Sequence, residues 1–167
     1  MEDEDFFEHV IFNPCNSITF APTLERQKTD MQITNNSSHT IMVKWKSTRP
    51  GVYGTVPTYS TVKPGETAVT LLIFKGLVRN ECSKNRDRLS ILVTAISATD
   101  LPAKQIWTNS DLYRKFAIGN LHKATIGIVY AGVHYQHVPG DEGKMMKMKC
   151  DDGEENLSTC LMPTEQN

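Results

Sequence analysis

Clustered carboxylates and one pair of histidines are the residues of this 167-residue chain best suited to catalysis or metal binding. The carboxylates form two runs, at residues 2–5 and 151–155, in segments that we expect to be mobile and unable to hold a catalytic geometry. His134 and His137 are three residues apart, so on a strand they point to opposite faces. We therefore expect neither a carboxylate pair for acid–base catalysis nor a metal site.

The G-x-S-x-G motif of a nucleophile and the glycine-rich loops that bind phosphate are also missing. None of the 10 glycines of the sequence forms a nucleotide-binding loop. Its four cysteines are widely spaced and contain no CxxC pair, so we expect free thiols at Cys15, Cys82, Cys150 and Cys160. The sequence therefore predicts a protein that is not an enzyme and has no cofactor.

The composition is that of a globular protein, with 39% hydrophobic residues, 22% charged residues and a formal net charge of -1. This balance predicts no overall attraction to nucleic acid or to anionic membranes. The chain begins with acids where a secretory signal needs a basic stretch, and no window reaches the ~20 apolar residues of a membrane helix. We expect a cytoplasmic protein without membrane insertion, in which any charge preference is local.

Such a local preference is visible at residues 41–48, which carry two lysines on an amphipathic stretch. Successive strand residues point to opposite faces, so Ile41, Val43 and Trp45 share one face. Met42, Lys44 and Lys46 share the other. This register predicts a buried tryptophan and two exposed lysines.

The elements around this stretch are short alternating runs separated by Pro, Gly, Asn and Ser, a pattern typical of an all-β sandwich. Seven runs can be counted, at residues 10–20 with a break at Pro14, 30–34, 41–48, 55–57, 68–74, 89–95 and 125–130. Residues 103–120 have helix-like spacing instead and predict a packed loop with one or two helical turns. We expect an acidic flexible N-terminus at 1–8, one sandwich domain at 9–138 and a polar flexible tail at 139–167.

Four motifs in these runs resemble the major sperm protein (MSP) domain family. They are VIFNP at 10–14 followed by ITF at 18–20, NNS at 35–37, KWKSTRP at 44–50 and VKPG at 62–65. The family includes nematode major sperm proteins and the VAMP-associated proteins of membrane contacts. The resemblance implies an immunoglobulin-like, seven-stranded β-sandwich that is also PapD-like.

Residues 85–94 and 103–105 look more like the nematode sperm branch than the membrane-contact branch. The sperm branch implies a cytoplasmic, cytoskeletal protein that forms homodimers and then filaments for sperm motility, without nucleotide hydrolysis. Its partner would be itself or another MSP-domain protein. A paralogue that keeps the sandwich but no longer polymerises is a further possibility, because the C-terminal tail is longer than is usual in the family.

The membrane-contact branch gives the alternative function, an adaptor that binds acidic peptides with two phenylalanines. The resemblance implies that such a peptide would contact Lys44, Lys46, Ser47, Thr48 and Lys123. A lysine and a methionine of that branch are expected to be replaced here by Leu89 and Ile91, which would weaken the site. Equally, Lys44 and Lys46 could be ordinary solvated positions of an amphipathic strand.

The N-terminus itself, DEDFFE at residues 3–8, looks like the core of an acidic double-phenylalanine peptide. His9 and Ile11 depart from that motif, and the segment runs directly into the first strand. A short link would hinder docking on the groove of the same domain. We therefore consider the hypothesis that this segment binds a neighbouring copy or a partner domain.

Overall fold

The computed structural model describes residues 5–77, 87–131, 133–136 and 147–150, with side chains up to residue 131. A 3-10 helix spans Phe6–His9 and two α-helices follow later in the chain, α1 at Ala103–Thr108 and α2 at Ser110–Phe116. The strands are β1 Val10–Asn13, β2 Ser17–Phe20, β3 Gln27–Asn35, β4 Thr40–Ser47, β5 Tyr53–Val56, β6 Tyr59–Val62, β7 Thr67–Phe74, β8 Arg88–Ile96, β9 Ala117–Tyr130, β10 Val133–Gln136 and β11 Lys147–Cys150.

Two sheets form the sandwich within the described residues. The four-stranded sheet has the order β1-β3-β7-β5, and the five-stranded sheet has the order β2-β9-β8-β4-β6. Their inner faces enclose one core in which the rings of Phe20, Tyr53 and Phe74 stack, with centroids 5.0 to 6.4 Å apart. The predicted all-β sandwich is confirmed, although these sheets contain more strands than the seven runs suggested.

The extra strands arise partly because the first run divides between the two sheets. β1 pairs antiparallel with β3, whereas β2 pairs in parallel with β9 in the opposite sheet. Pro14 lies between them and has no backbone N–H to continue a ladder, so the chain leaves one sheet there and enters the other. The sequence predicted the break at Pro14 but not the change of sheet.

β4 has the predicted register, since Ile41, Val43 and Trp45 are all buried in the core. Lys44, predicted to be exposed, is half-buried on the opposite face, and Met42 on that face is fully buried. Met42 packs with Ile96, Ala103 and Ile106 in a second apolar cluster. The helices α1 and α2 cover this end of the sheet, which alternation along β4 alone could not indicate.

The two helices confirm the helical spacing predicted for residues 103–120. Asn109 separates them and caps α2, since its Oδ1 accepts hydrogen bonds from the backbone N–H groups of Asp111 and Leu112 at 3.0 and 3.2 Å. α2 ends at Phe116, and β9 begins at once with Ala117. The last long strand is therefore eight residues longer at its start than the predicted run at 125–130.

β7 directs its even-numbered residues Thr70, Leu72 and Phe74 into the core. Val69, Leu71 and Ile73, predicted to share one face, lie on the outer face of the four-stranded sheet. Val69 is 52% exposed there, and Val56 at the neighbouring edge strand is 58% exposed. We call Val56, Val69 and Leu71 the apolar stripe.

The two predicted flexible termini differ in how far the structure describes them. At the N-terminus, Phe6 is only 8% exposed and belongs to the core, and the half-buried Phe7 packs against it. In the C-terminal segment, Lys147–Cys150 pairs antiparallel with Val133–Gln136, and its alternation of lysines with Met148 and Cys150 suits a strand. His137 and the predicted tail apart from residues 147–150 lie outside the described residues, and the domain boundaries stay predictions.

In the part of the chain that the structure describes, no helix has the length and apolar character needed to cross a bilayer. The same residues contain no cluster of three or more His, Cys, Asp or Glu side chains arranged to hold a metal ion.

Candidate functional site

Four basic side chains lie on the outer face of the five-stranded sheet. Lys44 of β4 is opposite Leu92 of β8, and Leu92 is opposite Lys123 of β9, so the three form one row across the sheet. On the same face, Lys46 lies two residues further along β4, and Arg88 lies four residues before Leu92 on β8. We call Lys44, Lys46, Arg88 and Lys123, with Leu92 between them, the cationic face.

Neighbouring strands are ~4.8 Å apart, so the Lys44 and Lys123 positions are separated by roughly 10 Å across β8. Lys46, Arg88 and Lys123 are exposed, whereas Lys44 is half-buried. The Nζ of Lys44 lies 5.5 Å from the ring centroid of Tyr59, which pairs with it from β6. This cation–π contact holds the Lys44 ammonium beside an aromatic ring, at the margin of the face.

Ser47 and Thr48, the other two predicted site residues, are placed differently. Ser47 points to the inner side of the sheet, opposite the fully buried Leu89, and its Oγ donates to the carbonyl of Tyr53 at 3.5 Å. Thr48 is exposed at the end of the face, and its Oγ1 accepts from the N–H of Arg88 at 3.2 Å. The structure therefore brings the three lysines together, with Thr48 beside them, and leaves Ser47 out.

The expected loss of the groove at Leu89 and Ile91 is wrong. Both side chains are fully buried in the core, so neither can border a site on the outer face. The outward residues of β8 are Arg88, Ser90 and Leu92. An alignment that is wrong by one residue exchanges the two faces of a strand. With β8 in the observed register, Arg88 lies on the outer face and adds a cation to the site.

Sequence reasoning thus missed Arg88, Leu92 and Tyr59. The signal for the first two was present, because the apolar alternation at 89, 91 and 93 already assigned residues 88, 90 and 92 to the other face. Tyr59 could not be found in this way, since its approach to Lys44 depends on the pairing of β6 with β4.

A buried carboxylate, Asp87, lies at the start of β8 below the cationic face and is 4% exposed. Arg49 donates to its Oδ2 from Nε at 3.0 Å and approaches the same atom with Nη2 at 2.8 Å. The hydroxyl of Tyr53 donates to Oδ2 at 2.7 Å, and Thr48 Oγ1 donates to Oδ1 at 3.3 Å. We call Thr48, Arg49, Tyr53, Asp87 and Tyr130 the Asp87 cluster.

The environment of the Asp87 cluster changes the acidity of its members. Burial raises the pKa of Tyr53 above its ordinary range, and hydrogen bonds with Tyr130 and Asp87 raise it further. Burial also raises the pKa of Tyr130, whose hydroxyl contacts that of Tyr53. Burial by itself lowers the pKa of Arg49, but the hydrogen bond and the charge of Asp87 outweigh it, so the net shift is upward.

These contacts pair Arg49 with Asp87, so Arg49 adds no unpaired charge to the cationic face. They also fix the geometry at its end, because Thr48 contacts both the Asp87 carboxylate and the backbone of Arg88. We interpret the cluster as a structural support for the end of the face where Lys46 and Arg88 lie.

The double-phenylalanine segment packs against β9 at His122, on the face of the sheet opposite the cationic face. The ring of Phe7 stacks on the ring of His122, with centroids 4.5 Å apart and planes 8° from parallel. Phe6 meets the same imidazole edge-on at 5.2 Å, and Asp5 Oδ1 lies 3.2 Å from His122 Nε2. The segment therefore packs against its own domain, but away from the cationic face, and binding in trans would require Phe6 to leave the core.

The fold and this face together define an immunoglobulin-like β-sandwich with a basic outer sheet surface. The family model of the MSP (major sperm protein) domain matches residues 9–112, which is more than half of the chain. The chain belongs to the MSP domain family.

One curated relative is the vesicle-associated membrane protein-associated protein SCS2 of Saccharomyces cerevisiae. It is 36% identical over 101 residues, which are 58% of this chain and 40% of SCS2. The chain thus matches less than half of the length of that relative.

Two solved structures from Caenorhabditis elegans are similar in fold. The MSP family member WR4 has a TM-score of 0.56 at 14% identity, with 74% of this chain and 98% of WR4 covered. The MSP-domain protein SSP-19 has a TM-score of 0.52 at 13% identity, with 71% and 97% covered. At these identities the likeness concerns the fold alone.

Proposed function

We propose that this protein is a binding module that captures acidic peptide segments on its cationic face. The observation that carries the proposal is the convergence of Lys44, Lys46, Arg88 and Lys123 on one sheet surface. Among the described strand positions that point outward from this sheet, no aspartate or glutamate accompanies them. The face is therefore positive in a protein whose net charge is -1.

A surface of this kind selects ligands first by charge. Like-signed groups on one face attract an acidic segment from a distance and accelerate encounter, and salt weakens the attraction. Leu92 at the centre and Tyr59 at the margin are half-buried, so a bound peptide gains contact with apolar surface once it has arrived. An acidic segment that includes aromatic residues matches both properties.

Family membership supports this choice of ligand. SCS2 is named as a protein associated with a vesicle-associated membrane protein, and its similarity to this chain extends over 101 residues. The resemblance to the membrane-contact branch implies acidic peptides with two phenylalanines, and the cationic face has the charge that such peptides require. The correction at Leu89 and Ile91 removes the main argument against this function.

The test is charge reversal on the face with a matched control elsewhere. The probe is a short synthetic peptide with two adjacent phenylalanines flanked by glutamates, and its affinity is measured by calorimetry. The double variant Lys46→Glu with Lys123→Glu is expected to weaken binding by roughly tenfold or more, because each exposed ion pair is worth ~1 kcal/mol at most and both become repulsive.

Lys28→Glu is the control, because Lys28 is an exposed lysine on the outer face of the other sheet. It is expected to leave the affinity almost unchanged. Equal losses in both variants, or an affinity that is insensitive to salt, would argue against the cationic face as the site.

A second candidate function is self-association of the kind that the sperm branch implies, with homodimers leading to filaments. It is supported by the exposure of the apolar stripe beside the edge strand β5. Roles in a cytoskeleton or in sperm motility would follow only from such assembly. We place this candidate second because the stripe is small, whereas the cationic face combines charge with apolar contacts.

A further inference from the structure

β9 is the longest of the described strands, and its two neighbouring strands pair with different parts of it. β8 follows it from Ala117 to Gly127, whereas β2 pairs with only four residues, from Gly127 to Tyr130. Among the described residues, the stretch before Gly127 has a strand neighbour on one side only. We call residues 120–126, on the side away from β8, the β9 edge.

Two hydrogen bonds fix the direction of the backbone groups at this edge. The N–H of Gly127 donates to the carbonyl of Asn16, towards β2, at 2.9 Å. The N–H of Ile128 donates in the opposite direction, to the carbonyl of Asp87, also at 2.9 Å. Because N–H and C=O groups alternate along a strand, Thr125 and Lys123 direct theirs to the same side as Gly127, away from β8.

The side chains along the edge leave it accessible. Lys123 and Thr125 are exposed, and Leu121 is 51% exposed. The N-terminal segment contacts β9 at Gly119, where the Phe6 ring would lie 3.7 Å from an added Cβ atom, and at His122, on whose ring Phe7 stacks. Within the described residues, the stretch between His122 and the entry of β2, which includes Lys123 and Thr125, is available to a further strand.

We propose that the β9 edge binds an extended acidic peptide as an added strand, an inference that rests on the proposed function and specifies how the peptide is held. Backbone groups at Lys123 and Thr125 would bond to the peptide main chain. Alternate peptide side chains would then point over the outer face of the sheet, where the Lys123 side chain also lies. This arrangement combines sequence-independent hydrogen bonds with selection for acidic residues.

Charge favours an acidic peptide over a second copy of the same edge. Two copies paired antiparallel about Lys123 would place the Cβ atoms of two lysines about 5 Å apart, with like charges directly opposite each other. A lysine at an open edge is one of the devices by which proteins prevent pairing of this kind. An acidic strand turns the same lysine into an attraction.

The test uses the full chain and two modified forms of the glutamate-flanked double-phenylalanine peptide. One form carries backbone N-methyl groups on odd-numbered amides, and the other carries them on even-numbered amides. In an added strand, only every second amide points towards β9 and bonds to it. The form methylated at those amides is expected to lose about tenfold in affinity or more, while the other form binds almost as the parent peptide does.

Hydrogen exchange in the complex gives an independent readout. The amides of Lys123 and Thr125 are expected to exchange more slowly when the parent peptide binds. The amide of Ile128, already bonded to Asp87, serves as the internal control.

The outcomes separate this inference from the proposed function. Binding of the parent peptide with equal effects of both methylated forms, and with unchanged exchange at Lys123 and Thr125, would overturn the added strand but keep the cationic face. Failure of the parent peptide to bind would overturn both.

Discussion

At the scale of single residues, the most constrained group is the Asp87 carboxylate. It is almost fully buried, and its hydrogen bonds come from the loop after β4 and from β5. A buried charge is tolerated only when it is paired and hydrogen-bonded, which is the situation here. The cluster therefore stabilises one end of the cationic face at the cost of removing Arg49 from its surface.

The raised pKa of Tyr53 makes stability depend on pH in the alkaline range. In the unfolded chain a tyrosine ionises near its ordinary pKa of ~10, whereas folded Tyr53 keeps its proton to higher pH. The folded state then binds more protons than the unfolded state, so the free energy of unfolding is expected to fall as pH rises above about 10. Urea unfolding measured from roughly pH 8 to pH 11, a range that includes the ordinary tyrosine pKa, checks this decrease.

Tyr53→Phe should reduce that pH dependence but not abolish it, because the pKa of Tyr130 is raised as well, while Tyr59→Phe, a change outside the Asp87 cluster, should retain it. Tyr53→Phe also leaves Asp87 with one hydrogen bond fewer, so we expect it to be less stable than the parent near neutral pH. An alkaline slope that is the same in all three proteins would show that Tyr53 is not responsible.

Sequence reasoning at the residue scale succeeded where alternation was strong. The exposed lysine at 46 and the buried tryptophan at 45 follow directly from the pattern of β4. The family resemblance wrongly placed Leu89 and Ile91 at the groove. The alternation of β8 alone correctly indicates that both belong to the core. The burial of Met42 could not be predicted, since it depends on helices that are distant in sequence.

At the scale of elements, the apolar stripe is the surface most suited to self-association. Val56 and Val69 are both more than half exposed, next to the edge strand β5. Val69 and Leu71 pair with the polar residues Gln32 and Asp30 of β3, which limits the stripe to a narrow band. A band of this size suits a weak, concentration-dependent contact better than a permanent one.

Val69→Asp places a charge in the centre of the stripe and is expected to abolish any dimer seen by sedimentation across a concentration series. The fold should tolerate it, because Val69 is exposed and points away from the core. Gln32→Asp is the matched control, since Gln32 pairs with Val69 on the same outer face and is also exposed. Dimers that persist in Val69→Asp, or a chain that is monomeric throughout, would remove the stripe as an assembly surface.

The N-terminal segment shows why an element cannot always be assigned from its own sequence. Its acids predicted a solvated, flexible stretch, and its two phenylalanines resembled a ligand for another domain. The structure uses the same aromatic rings against His122 and the core, because the chain enters β1 directly after them. The short link that argued against docking on the cationic face permits packing beside β9.

At the scale of the whole molecule, the alternation of apolar residues and the positions of Pro and Gly were enough to predict a sandwich. The runs at 41–48 and 89–95 became the paired centre of the five-stranded sheet, and Pro and Gly marked the ends of elements. The distribution of strands between sheets was not predictable, because parallel pairing of β2 with β9 joins residues more than a hundred positions apart. The cationic face depends on that assembly, since its four cations come from three strands.

The measurement that tests the central proposal most directly is a titration of the labelled protein with the double-phenylalanine acidic peptide, followed residue by residue by NMR. The proposal predicts saturable shifts concentrated at Lys44, Lys46, Arg88 and Lys123, with Leu92 and Tyr59 among them and Val69 on the opposite sheet unaffected. Shifts centred on the four-stranded sheet, or no saturable shifts at all, would contradict it.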